Sequence, residues 1–180
     1  EVRCGAPAPS VAELKAMGYT HILYAVGAWK PGRLGIPGDV AGAIQWMKGV
    51  KAGNISVGGN VAVVGAGNTA MDAARLAKRS GAQHVTIVYR RTKKYMPADE
   101  HELALALADG VTFAELCAPV EQKDGVLRCE KMKLGEADAS GRRSPVATGE
   151  YVDIPCDLVI SAVGEQVDSD LLTSNGVALV

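Results

Sequence analysis

Apolar positions along the chain fall into runs of two kinds. "VAVVG", "HVTIVY", "VTFAEL" and "DLVISAVG" are nearly continuous apolar stretches, the pattern of strands buried on both faces of a parallel sheet. Between the first two, "NTAMDAARLAKRS" has helical periodicity, and Ala70, Ala73, Ala74 and Ala77 form a small-residue stripe that lets the helix lie close to the sheet. "ADEHELALALADG" predicts a second helix, with acids in its first turn where they complement the dipole. Upstream, Ser10 and Glu13 form a capping box for a short helix "VAELKAMG" closed by Gly18, and "THILYAVG" predicts a strand. "AWKPGRLGIPGD" is rich in Gly and Pro and reads as an irregular linker; a helix from about Val40 to Val50 follows, ended by "AGNISVGGN".

The pattern changes after "VTFAEL". Asp124-Gly125 between two extended segments signals a hairpin, "GEADASGRRSPVATGE" predicts a polar loop, and "YVDIP" a third extended piece. The expected fold class is therefore α/β, a Rossmann-like parallel sheet with an antiparallel β-meander at about 118–155 inserted before the last parallel strand. The expected division is residues 1–55 as a crossover segment, 56–164 as the central domain and 165–180 as a return.

Composition sets outer bounds. Apolar residues make up 48% of the 180, enough for a core. Nineteen Lys and Arg against twenty Asp and Glu give no electrostatic case for nucleic acid or an anionic membrane surface. No apolar run is long enough to span a bilayer, and the N-terminus lacks a secretory pattern, so a cytoplasmic location is expected. The four cysteines are scattered without a CxxC and read as ordinary cytosolic thiols. The ends, Glu1 and "LLTSNGVALV", suggest a piece of a longer chain.

The candidate chemistry lies in one strand–turn–helix–strand unit. Gly65, Gly67 and Ala70 match G-x-G-x-x-A: Gly65 for the tight turn, Gly67 for close approach of a pyrophosphate, Ala70 for helix–strand proximity. The plainer alternative is a glycine turn that only allows tight packing. Asn68 and Thr69 either hydrogen-bond phosphate or cap the helix. The second strand ends on Arg90 and Arg91, where NAD-binding units carry an acid for the ribose 2′-hydroxyl. A guanidinium there binds a 2′-phosphate in bidentate fashion and would favour NADPH; the alternative is a solvated basic loop, the better reading for Lys93 and Lys94. Methyltransferases that hold S-adenosylmethionine also use a glycine turn but want an acid at this strand end, and the arginines count against them.

Taken together, "VVGAGNTAMDAAR" and "VTIVYRRTKKYMPADEHELALALADGVTFAELCAPV" resemble the NADPH-binding domain of glutamate synthase small (β) subunit-like oxidoreductases. "MKLGEADASGRRSPVATGE" with "DLVISAVGEQVDSDL" resembles most of all the selenate reductase subunit branch of that group. The resemblance implies an NADPH-binding domain inserted into an FAD-binding domain, with crossings at "ILYAVGAWKPGRLGIPG" and "LVISAVGEQVD" and short flanking pieces of the FAD domain at either end. It implies that Gly65, Gly67, Asn68, Thr69 and Ala70 hold the pyrophosphate and that Arg90 and Arg91 hold the 2′-phosphate. It places Ala162, Val163 and Gly164 beside the nicotinamide half, although these also suit a plain turn at a strand end.

The implied role is electron input: hydride from NADPH to FAD, then electrons to iron–sulfur centres outside this chain or to a larger catalytic subunit. The isolated chain, lacking the rest of its flavoprotein, is expected to be inactive. A non-catalytic dinucleotide-binding or subunit-docking domain is the alternative, separated by whether the full-length protein binds flavin. A disulfide reductase is a weaker third, for want of a cysteine pair. No catalytic residue and no metal ligand is assigned; His21, His84 and His101 stand apart and read as structural or exposed.

Overall fold

In a computed structural model, residues 2–139, 141 and 143–178 are described. The chain divides into two compact units, residues 1–30 with 166–180 and residues 31–165. The boundaries fall inside two short strands, β1 (Lys30–Pro31) and β10 (Glu165–Gln166).

The first unit holds α1 (Val11–Ala16) and α5 (Ser169–Ser174). The capping box is present: Glu13 N donates to Ser10 Oγ at 3.3 Å, and Ser10 N donates to Glu13 Oε2 at 2.8 Å. Lys30 Nζ lies 2.7 Å from Asp168 and 3.5 Å from Asp170. Neither helix buries a residue. Residues 20–27, expected as a strand, form no ladder, and Leu23 is 90% exposed. An apolar run becomes a strand only beside a partner, and the described residues of this unit supply none.

The second unit is built on a five-stranded, wholly parallel sheet in the order β2-β9-β3-β4-β5: β2 (Val40–Gly42), β3 (Asn60–Val64), β4 (His84–Tyr89), β5 (Thr112–Glu115) and β9 (Leu158–Ser161). Alternation along β3 sends Val61 and Val63 to one face and Ala62 and Val64 to the other. On the first face lie α2 (Ala43–Lys51), α3 (Asn68–Arg79) and α4 (Glu100–Ala108). The stripe of Ala70, Ala73, Ala74 and Ala77 is fully buried, as the small side chains demand for close helix–sheet packing. Across α3 and α4, Arg75 and Arg79 pair with Asp109 at 2.9 Å, which holds its carboxyl below the usual range, the Arg79 hydrogen bond contributing most.

The other face is covered by the antiparallel meander β6 (Cys117–Lys123), β7 (Val126–Ala137) and β8 (Arg143–Pro155). Leu127, Cys129 and Cys156 pack there against Ala62, Val88 and Val159. Asp124 (φ 51°) and Gly125 (φ 76°) make the two-residue turn expected of an Asp-Gly hairpin. The result is a three-layer unit of helices, parallel sheet and meander.

Two expectations about elements change here. The helix expected from Val40 begins at Ala43; Val40–Gly42 instead pairs with Val159–Ser161 as the sheet's edge strand, too short to show a pattern of its own. The expected polar loop 135–150 is mostly ribbon, with β7 running to Ala137 and β8 starting at Arg143. That part of the ribbon is exposed on both faces, so its side chains carry no alternation.

Candidate functional site: a cleft at the carboxyl ends of the sheet strands

In an open parallel sheet, ligands bind beyond the carboxyl ends of the strands, where neighbouring connections leave in opposite directions. Here that point lies between β3 and β9, since the chain runs from β3 outward through β4 to β5 while β9 returns on the other side. A cleft of about 580 Å³ opens at this edge.

Its floor is the turn after β3. Gly65 has φ +133°, and a Cβ there would lie 2.3 Å from the carbonyl oxygen of Ala162. Both facts demand glycine. Gly65 N donates to Val88 O at 3.1 Å and Ala162 N to Val64 O at 2.8 Å, so the ends of three strands converge on one residue. Gly67 caps α3 in extended conformation without any side-chain cap, and a Cβ there would meet only Pro97 Cγ, at 3.8 Å. The missing side chain leaves space above the first helical turn. Ala70 N and Met71 N donate back to Gly67 O at 2.9 and 3.2 Å, so the N–H groups left without an intrahelical acceptor are those of Asn68 and Thr69.

Thr69 borders this space. Asn68 turns elsewhere, its Oδ1 accepting from Asp99 N at 3.2 Å, and Ala70 is buried against the sheet. Beside the two roles offered for Asn68, phosphate or cap, the side chain makes a third contact, a tie to the N-cap residue of α4.

The walls come from strand ends. Arg90 and Arg91 follow β4, and Ala162, Val163 and Gly164 follow β9; all five line the cleft with Gly65, Gly67 and Thr69. Arg90 is exposed, whereas Arg91 is only 8% exposed. Arg91 Nε donates to the carbonyl of Arg143 in the meander at 3.3 Å, and no carboxylate pairs with this guanidinium among the described residues. Its own carbonyl accepts from Leu116 N at 3.1 Å, at the corner (φ 54°) where the chain leaves the sheet for the meander. Above Gly67 the loop 92–99 is closed down by Ala98 N donating to Ala66 O at 3.0 Å, by Tyr89 Oη donating to Tyr95 O at 2.8 Å, and by Lys93 N donating to Glu115 Oε1.

Among the lining residues that sequence reasoning did not single out are Arg33, Pro97 and Glu165. Arg33 sits in a stretch whose Gly and Pro content announces irregular backbone and hides the role of this cation. Only the three-dimensional return of that stretch to Gly164 reveals it.

The site offers cations, helix N–H groups and apolar walls, which suit an elongated anion with flat apolar parts. It offers little else chemically. His84 lies at the opposite, amino-terminal end of β4, and His101 is exposed on α4. All four cysteines are free. Burial pushes the Cys129 thiol to about 12 and the Cys156 thiol to about 11, so neither is a thiolate at neutral pH. Among the described residues no group of three His, Cys, Asp or Glu converges as metal ligands, and no helix is long and apolar enough to cross a membrane.

Comparison with known proteins agrees with this geometry. Residues 7–180 match the sequence profile of pyridine nucleotide-disulphide oxidoreductases. The chain is 41% identical over 179 residues to the Escherichia coli K12 protein YgfK, covering 96% of this chain and 17% of that one. It is 39% identical over 168 residues to the NADP(+)-dependent formate dehydrogenase subunit beta of Moorella thermoacetica, covering 86% of this chain and 24% of that one. Glutamate synthase [NADPH] small chain of Azospirillum brasilense is 33% identical over 168 residues, with 81% and 35% covered. The chain thus spans between about a sixth and a third of the length of these relatives. Among solved structures, Mycobacterium tuberculosis FprA in complex with NADPH superposes with a TM-score of 0.65 at 22% identity, over 86% of this chain and 52% of that one. That likeness speaks to the fold.

Proposed function

Because the chain belongs to the pyridine nucleotide-disulphide oxidoreductase family, we propose that the cleft is an NADPH site and that the chain is the electron-input module of a flavin-dependent oxidoreductase. The observation that carries the reading is Arg91. An arginine only 8% exposed, with only a neutral carbonyl for a partner among the described residues, is costly to bury unless an anion completes it. Beside it stand Arg90 and, one strand along, the start of α3 without a side-chain cap, whose first N–H groups, those of Asn68 and Thr69, and dipole favour a pyrophosphate.

The dinucleotide would lie across the switch point. Arg90 and Arg91 take the 2′-phosphate, the Gly65–Thr69 turn takes the pyrophosphate, and Ala162, Val163 and Gly164 flank the nicotinamide half. Ala70 contributes only by keeping α3 close to the sheet. NADPH supplies the hydride chemistry when bound, with FAD as the acceptor; this chain's own residues bind, orient and discriminate. We assign the chain to the glutamate synthase small-subunit-like group, whose NADPH-dependent members are among its relatives. The ribbon-end sequence supports the selenate reductase branch within it. The remainder of the flavoprotein would hold FAD, and iron–sulfur centres or a larger subunit would take the electrons onward.

Calorimetric titration of the chain with NADPH and NADH at fixed moderate salt tests the reading. At least tenfold tighter binding of NADPH is expected, the equivalent of about 1.4 kcal/mol. That preference is lost in Arg90→Ala, an exposed position whose truncation leaves the fold intact. Equal affinities in the parent chain would sink the arginine assignment.

A further inference from the structure

We propose that Arg33 is a second anion anchor of the cleft, specific to the pyrophosphate side of the dinucleotide and indifferent to the 2′-phosphate. The inference rests on the nucleotide reading above and adds a residue that neither the glycine turn nor the arginine pair supplies.

The segment from Gly32 to Asp39 is irregular, yet it is held at both ends. Gly32 N donates to Gly164 O at 2.8 Å, and a Cβ on Gly32 would lie 2.6 Å from that oxygen, so the two backbones touch. At the far end Gln122 N donates to Pro37 O at 2.9 Å, and Asp39 N donates to Gln122 Oε1 at 3.0 Å. Between these ties Leu34 and Ile36 pack into the apolar layer shared by the sheet and the meander. A stretch that sends Leu34 and Ile36 inward sends the alternate residue Arg33 outward, and Arg33 lines the cleft. Its backbone is therefore fixed without its guanidinium being used. No ion pair joins it to a carboxylate among the described residues, and it is exposed.

Position decides which part of the ligand it meets. Arg90 and Arg91 follow β4, on one side of β3; Arg33 is tied to Gly164 after β9, on the other side. The start of α3 lies between them. A dinucleotide whose 2′-phosphate is at the β4 end presents its pyrophosphate and nicotinamide ribose toward the β9 end. The anion within reach of Arg33 is then the pyrophosphate, which NADH and NADPH share. The cleft has an arginine at each end, with Glu165 also lining the β9 end, and the two have separate duties: one selects the nucleotide, the other holds whichever nucleotide enters.

The test is calorimetric titration of the 180-residue chain and its Arg33→Ala and Arg33→Lys variants with NADPH and with NADH. Arg33→Ala is expected to weaken both by the same factor, about tenfold for one charge-assisted contact, so that the NADPH-to-NADH ratio is unchanged. Arg33→Lys recovers part of the loss in both. Arg90→Ala, run alongside, collapses the ratio instead. Affinities in Arg33→Ala that stay within twofold of the parent, or a ratio that collapses as in Arg90→Ala, overturn the assignment of Arg33 while leaving the nucleotide site standing. A parent chain that binds neither nucleotide overturns the nucleotide reading itself, and this inference with it.

Discussion

The parallel sheet and the antiparallel meander occupy the same unit and obey different rules. In the sheet, the central strands β3, β4 and β9 are covered on both faces, and their interior residues are almost wholly buried. In the meander, β6, β7 up to about Leu134 and the end of β8 have one covered face, and the described residues of the ribbon between Glu136 and Glu150 are almost all exposed. The sheet derives its order from apolar packing. The ribbon derives its order from cross-strand hydrogen bonds and turns, so that its side chains are nearly free to vary. The cleft draws on both, since the sheet edge presents its turn and arginines, the first meander strand lines it with Ala118 and Pro119, and the ribbon reaches Arg91 through the Arg143 carbonyl.

Substitutions that separate these regimes sharpen the contrast. The largest effect is expected for Gly65→Val, which combines a positive φ with a near-contact on the Ala162 carbonyl. Strain of about 1–3 kcal/mol and overpacking of about 1–3 kcal/mol add to a loss of about 4 kcal/mol in urea unfolding. Gly149, also left-handed (φ 78°) but in open space on the ribbon, should cost only about 1–2 kcal/mol as alanine. Next comes truncation of apolar side chains. Ile87→Ala, in the middle of β4, should cost about 2–5 kcal/mol, and Val146→Ala on the ribbon less than about 0.5 kcal/mol. Similar losses at both would show that the ribbon is packed against something after all.

The smallest effect is expected at the seam between sheet and meander. Native Cys129 has its pKa pushed to about 12 by burial, against an ordinary thiol value near 9. The unfolded chain releases this proton first as pH rises. The contribution is therefore complete below pH 9 and is lost progressively between pH 9 and 12. Urea midpoints at pH 8 and pH 10 should fall further in the parent chain than in Cys129→Ala. An identical fall would mean the thiol is solvated in the native state.

Legibility followed the same division. Strands β3, β4 and β9 announced themselves because burial on both faces forces continuous apolar runs, and α3 because the sheet admits only small residues beside it. Residues 135–150 looked like a loop because an uncovered ribbon imposes no pattern. Thr20–Gly27 looked like a strand because its composition suits one, yet a ladder needs a neighbour. At the site, the glycine turn and the arginine pair were readable from local spacing. Arg33 was not, since its place depends on a backbone contact between residues 132 positions apart, Gly32 and Gly164.

The position of β9 carries a further consequence, for the order in which the molecule is made. Residues 158–161 slot between β2 and β3, with Leu158 opposite Val61 across a loop of nearly a hundred residues. A nascent chain that has reached the end of the meander has paired β3 with β4 on one side only, and the facing edges of β2 and β3 lie open. Closing so long a loop is slow, and an open apolar edge is a template for a neighbouring chain. The cleft is created in the same step, because Ala162 and Gly164 arrive with β9. Completion of the sheet and appearance of the cleft are thus one event, and a truncation before residue 158 should yield an aggregating chain with no cleft.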